Sequence, residues 1–156
     1  MIKISVCDDD EGQLTFFKQC FMEYNEKHKE KIEANFYQSV QSLLNEKKFS
    51  PDVYFLDIEL QDGNGLKLAG KIRTRNSKIP IVFITSHEEF MPEAFHVHAY
   101  QYLNEKKNAQ AVENVLNQLA DYFSEQNQIF SFQTYGEMIS LDCRDIICFT
   151  SEKRKN

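Results

Sequence analysis

Residues 53–65 read VYFLDIELQDGNG: an apolar run, an aspartate, then an acidic stretch closed by two glycines. Val53–Leu56 shows no polar alternation, the pattern of a strand buried on both faces of a parallel sheet. Such a strand ends on Asp57, so a carboxylate stands where the sheet meets its loops. A second stretch, VCDDDEGQL (6–14), repeats the arrangement. Ile2, Ile4 and Val6 form a short strand, and Asp8, Asp9 and Asp10 follow it directly.

Around these two stretches the chain alternates strand and helix. Leu14, Phe17, Phe21 and Tyr24 recur at steps of three and four and predict an amphipathic helix. Ile32–Phe36 reads as a second strand, and Val40, Leu43 and Leu44 as a short helix. Gly63 and Gly65 make a turn, and Leu66, Leu68, Ala69 and Ile72 carry the next helix. IVFIT (81–85) is a fully apolar strand ending on the Thr85 hydroxyl. A helix around 89–96 follows, then AYQYL (99–103) as a fifth strand. Val112, Val115, Leu116, Leu119, Tyr122 and Phe123 fall on one stripe of a last helix. His96 and His98 read as surface or packing residues rather than ligands.

Five strands alternating with five helices predict an α/β fold: a doubly wound, five-stranded parallel sheet flanked by five helices. Crossovers in such sheets are right-handed, and sites gather outside the carboxyl ends of the strands. Asp8, Asp9, Asp57 and Thr85 are all strand-end residues and can therefore converge. After Gln126 the pattern changes to alternation about Gly136, as in a β hairpin. The domains are thus expected at 1–125 and 126–156, the second being the opening of a domain that the chain does not complete.

The convergence has a chemical consequence. Two carboxylates about 4 Å apart repel by roughly 4 kcal/mol at an effective dielectric of about 20. A hard divalent ion removes that repulsion, and Mg²⁺ takes oxygen ligands from one or two carboxylates, water and phosphate. A carboxylate beside such an ion can attack phosphorus, as in aspartyl-phosphate enzymes. Thr85 could then donate to a phosphoryl oxygen. Taken alone, DDDEG is the acidic first turn of a helix, where negative charge suits the dipole. Taken alone, DGNG is a turn signal. Both acidic strand ends, in this order of elements, make a phosphorylation site in outline.

With 156 residues, 42% of them hydrophobic and thirteen of them Phe, the chain can bury a real core. A net charge of −6 argues against nucleic acid or an anionic membrane as a partner for the bulk of the chain. No apolar run approaches the roughly 20 residues of a membrane span, and MIKISVCDDD has no signal-peptide pattern. Cys7, Cys20, Cys143 and Cys148 form no CxxC pair, so a reducing cytoplasm is expected.

The motifs CDDDE, LDIELQDGNGLKLAGKIR and IVFITSHEE together resemble the receiver domain of two-component response regulators, over about residues 2–125. The resemblance implies that Asp57 accepts a phosphoryl group from a sensor histidine kinase. It implies that Asp8 and Asp9 hold Mg²⁺, Asp9 directly and Asp8 through water, with the Glu59 backbone carbonyl as a further ligand and Asp57 as part of the same metal site. Thr85 matches the switch hydroxyl and Tyr102 the aromatic that rotates with it. Asp10 falls outside the pair and reads as a helix-start residue. Members of the family carry a lysine at the end of strand five, three residues after the aromatic. Here Glu105 stands there with Lys106 next, so either Lys106 reaches the site or the receiver is atypical.

The tail YGEMISLDCRDIICFTSEKRKN is similar to the first strands of LytTR DNA-binding domains, and FITSHEEF to receivers of that class. This implies a transcriptional output, a phosphorylation-dependent homodimer, and DNA contact only through a C-terminal domain largely missing here. Lys153–Lys155 reads as a solvated edge. A pseudo-receiver acting through binding alone is the other expectation, supported by Glu105. Haloacid-dehalogenase-like phosphatases also use a nucleophilic aspartate, but theirs follows the first strand. A flavodoxin-type flavin site is disfavoured because the acidic first loop would repel a phosphate.

Overall fold

The computed structural model describes all residues except Ser86, Glu105, Lys106, Asn127, Gln128, Tyr135, Gly136 and 143–156; for Glu88, Gln126, 129–134 and 137–142 it describes the backbone alone. The strands are β1 (Ile2–Cys7), β2 (Ile32–Tyr37), β3 (Val53–Leu56), β4 (Glu59–Leu60), β5 (Gly63–Asn64), β6 (Ile81–Ile84), β7 (Gln101–Leu103), β8 (Ile129–Thr134) and β9 (Glu137–Asp142). The helices are α1 (Glu11–Lys27), α2 (Val40–Asn45), α3 (Gly65–Arg75), α4 (Met91–His96) and α5 (Ala109–Gln126), with a 3₁₀ turn at Glu88–Phe90 before α4.

The main sheet runs β2-β1-β3-β6-β7, and every pairing in it is parallel. Strand order reverses between β1 and β3, which is where such sheets open a crevice at their carboxyl ends. The register brings the ends level. Cys7 pairs with Leu56, and Leu56 with Phe83, so Asp8 and Asp57 leave the sheet side by side, with Thr85 one residue further along the neighbouring strand.

The core explains why these strands are apolar throughout. In β3 the side chains alternate between two helical layers. Phe55 packs edge-on against Phe17 and Phe21 of α1, at ring-centroid distances of 5.9 and 5.8 Å. Leu56 joins Ile58, Leu68, Ala69, Ile72 and Phe83 in the cluster beneath α3. All of these are buried, and truncating one such Phe to Ala typically costs about 3–5 kcal/mol. The α1 stripe of Leu14, Phe17, Phe21 and Tyr24 is buried as the periodicity predicts, and Asp10 caps the helix by accepting from the Gly12 and Gln13 amides.

Three local features differ from the sequence reading. The turn at 63–65 is preceded by a two-residue ribbon, β4 against β5, pairing Glu59 with Asn64. The fifth strand of the sheet is shorter than 99–103. The Ala99 amide donates to the Ala94 carbonyl at 3.1 Å and closes α4 instead of joining the ladder. The third is Arg73, whose guanidinium reaches from α3 to three backbone carbonyls: Nε donates to Val97 at 2.9 Å, Nη2 to His98 at 2.8 Å, and Nη1 to Ile79. His98 lies at φ 52°, in the left-handed region. His96 Nδ1 lies 2.8 Å from the Pro92 carbonyl, and both histidines are exposed, as expected of surface residues.

One compact unit covers Met1–Val115 and a second begins at Leu116, within α5. In the second, β8 and β9 pair antiparallel from Ile129↔Asp142 to Thr134↔Glu137, the hairpin expected about Gly136. The further tail readings, with Cys143, Cys148 and Lys153–Lys155, lie outside the described residues.

Candidate functional site

Each acidic residue is placed by the backbone before it. The Asp57 amide donates to the Cys7 carbonyl at 2.8 Å and the Asp8 amide to the Tyr37 carbonyl at 3.1 Å, continuing the ladders one residue beyond the strands. Asp8 is fully buried and Asp57 is 2% exposed. Backbone donors orient the carboxylates. Asp8 Oδ1 accepts from the Asp10 amide at 2.9 Å, Asp57 Oδ1 from the Ile58 amide at 2.8 Å, and Asp9 Oδ2 from the Gln61 amide at 3.0 Å. That last bond spans 52 residues and ties the β1 loop to the β3 loop.

Asp8, Asp9 and Asp57 each offer a carboxylate oxygen, and these oxygens all lie within 4.8 Å of one another. The donor set is all oxygen, which suits a hard divalent cation and not zinc or copper. The field of the cluster is felt by Cys7. Burial pushes its thiol up to about 12, and Asp62, Asp8, Asp57 and Asp9 push the same way.

Thr85, directly after β6, is fully buried, its amide donating to the Leu103 carbonyl at 3.0 Å. Its Oγ1 accepts from the His87 amide at 3.3 Å. Tyr102, half-buried on β7, donates its hydroxyl to the His87 carbonyl. Asp8, Asp9 and Asp57 come together beyond β1 and β3, Thr85 follows β6, Tyr102 lies within β7, and Glu59 lies on β4. Glu105 and Lys106 lie outside the described residues.

Several supports carried no clear sequence signal. Asp62, within the stretch read as a turn, accepts from the Val40 and Gln41 amides at 2.9 and 3.0 Å, which holds its carboxyl below the usual range. Asn64 caps α3 through the Leu66 and Lys67 amides. His87 bridges two carboxylates: Nε2 lies 2.9 Å from Glu59 Oε2 and Nδ1 lies 3.0 Å from Glu89 Oε1.

A crevice of clustered carboxylates at the switch point of a β2-β1-β3-β6-β7 sheet is the arrangement of a receiver. Residues 4–117 match the family model of the response regulator receiver domain, and the chain belongs to that family. Among its relatives are the sensory transduction protein LytR of Staphylococcus haemolyticus and a response regulatory protein of Yersinia pestis. The first is 32% identical over 71% of this chain and 42% of its own. The second is 29% identical over 77% and 49%. The chain therefore spans about half the length of the curated relatives it matches. The solved structure of TrrA from Thermotoga maritima, in complex with Mg²⁺-BeF, superposes with a TM-score of 0.65 at 22% identity, covering 76% of this chain and 99% of that one. Among the described residues, no helix is long and apolar enough to cross a membrane.

Proposed function

We propose that this receiver takes a phosphoryl group on Asp57 from the phosphohistidine of a sensor histidine kinase. A carboxylate oxygen of Asp57 attacks phosphorus, the P–N bond breaks, and the departing imidazole nitrogen keeps the electron pair. The observation that carries the reading is the meeting of Asp8, Asp9 and Asp57 within 4.8 Å. Asp9, Asp57 and the Glu59 carbonyl would hold Mg²⁺, with Asp8 acting through water; the ion would offset the negative charge that gathers as phosphate approaches carboxylate. Thr85 then donates its hydroxyl toward a phosphoryl oxygen, and Tyr102 moves with it. Lys106 is the candidate cation for the place that Glu105 occupies in sequence.

The downstream reading follows from the LytR relatives, of which the Staphylococcus aureus protein is named a transcriptional regulator. Residues 1–125 act as the switch, and 126–156 begin a DNA-binding output domain. Phosphorylation favours a homodimer that presents two such domains to DNA, and the protein works in the cytoplasm, where its kinase would be met.

The test is intact mass after incubation with acetyl phosphate, with and without Mg²⁺, beside Asp57→Asn. A Mg²⁺-dependent gain of one phosphoryl group, lost in the variant, supports the proposal. No gain in the native chain, with a gain in Glu105→Lys, would overturn it in favour of a receiver that works through binding alone.

A further inference from the structure

Among the described residues, His87 joins the two sides of the site through a side chain whose role the phosphoryl-transfer reading leaves open. Its backbone amide holds the Thr85 hydroxyl oxygen at 3.3 Å, and its carbonyl receives the Tyr102 hydroxyl. Both switch side chains are therefore fastened to the backbone of a single residue. That residue is fastened in turn by its ring. Nε2 meets Glu59 at 2.9 Å, Nδ1 meets Glu89 at 3.0 Å, and the ring stands edge-on to Phe90 at 6.0 Å.

Glu59 is an anchored partner. It lies two residues after Asp57, in a ribbon paired with Asn64, and Asn64 caps α3. The Gly65 amide donates to the Ile58 carbonyl at 2.8 Å, which closes this loop onto the helix. The ring of His87 thus joins a fixed wall, carrying the acceptor, to the loop that carries Thr85 and orients Tyr102. Glu89 offers no such link, because it lies on the same loop as His87.

We propose that His87 is a positioning residue, its Nε2–Glu59 contact coupling the Asp57 loop to the Thr85–Tyr102 switch. The inference rests on the proposed switch role of those two residues. The pair is partly exposed, at 42% and 58%, so its loss shifts the balance between switch arrangements by roughly fivefold or less. It therefore biases the switch and does not lock it.

The test separates the two ring nitrogens in the full-length chain. Glutamine places an amide nitrogen near the position of Nε2, whereas asparagine reaches only near Nδ1. Tyrosine-ring and threonine-methyl NMR signals are recorded without phosphodonor for His87→Gln and His87→Asn, with Tyr102→Phe and Thr85→Ser to assign them. The expected result is that His87→Asn moves the Tyr102 and Thr85 signals, His87→Gln leaves them in place, and the difference disappears in a Glu59→Ala background. Equal spectra for the two His87 variants, or a difference that persists without Glu59, would overturn the coupling. Failure of the phosphoacceptor reading would show instead as no gain of mass on Asp57, which these spectra do not depend on.

Discussion

Gly65 and Asp57 are in backbone contact: a β-carbon on Gly65 would overlap the Asp57 carbonyl oxygen and stand 2.9 Å from its carbonyl carbon and 3.0 Å from Ile58 Cα. Backbone cannot swing aside as a side chain can, so Gly65→Ala must displace either α3 or Asp57. A loss of about 2–4 kcal/mol is expected, with slower phosphorylation wherever the protein still folds. Gly70, on the same helix, has no atom within 4 Å of such a carbon. Gly70→Ala should therefore stabilise the fold by about 0.5–1 kcal/mol. Urea denaturation of the pair checks both signs in one experiment.

Arg73 should matter to stability far more than an ordinary surface arginine. It is partly buried, and its three donors satisfy carbonyls at Ile79, Val97 and His98. Removing it leaves those acceptors to find water around a left-handed residue. Hydrogen bonds from a charged donor contribute about 1.5–3 kcal/mol each and are not additive. Arg73→Met is expected to cost about 2–4 kcal/mol in urea denaturation. Arg73→Lys should recover less than half, because an ammonium cannot match the planar fork.

The parts of this molecule that were legible in the chain are those where side-chain type itself carries the signal. Val53–Leu56 and Ile81–Ile84 announce buried parallel strands because every residue must be apolar. Asp8, Asp9 and Asp57 stand out because apolar runs break on acid. Arg73 and the β4–β5 ribbon were not legible, for a common reason. Their partners are backbone groups, which every residue possesses, and a two-residue ribbon is too short for any periodicity. His87 was hidden differently: a histidine followed by two glutamates looks solvated, and only the fold brings Glu59 to its other nitrogen.

Thiol chemistry should follow burial. Cys20 is 9% exposed and its thiol is pushed up to about 11, mainly by burial. Cys7 is fully buried and pushed up to about 12. Thiolate is the reactive form. Raised values therefore predict that native labelling by iodoacetamide is slow at pH 8 and that Cys20 labelling grows about tenfold per pH unit toward 11. Cys7 should stay unlabelled until the protein unfolds. Peptide mapping after timed alkylation reads both sites, and native Cys7 labelling at pH 8 would contradict its burial in the structure.

Removing one carboxylate from the cluster should have opposite consequences with and without metal. Neighbouring charges at this separation repel by roughly 3–4 kcal/mol per pair at an effective dielectric of about 20, and the surrounding amide donors relieve part of it. In EDTA, Asp57→Asn is therefore expected to stabilise the fold by about 1–2 kcal/mol. Millimolar Mg²⁺ should stabilise the native chain, because an ion that binds only the folded state adds its binding free energy to folding. The variant, with one fewer anionic ligand, should gain less. Thermal denaturation of both proteins in EDTA and in Mg²⁺ gives four midpoints. The assignment of the three aspartates predicts that the variant melts higher in EDTA and that its lead shrinks or reverses in Mg²⁺. A native midpoint unmoved by Mg²⁺ would remove the ion from the site.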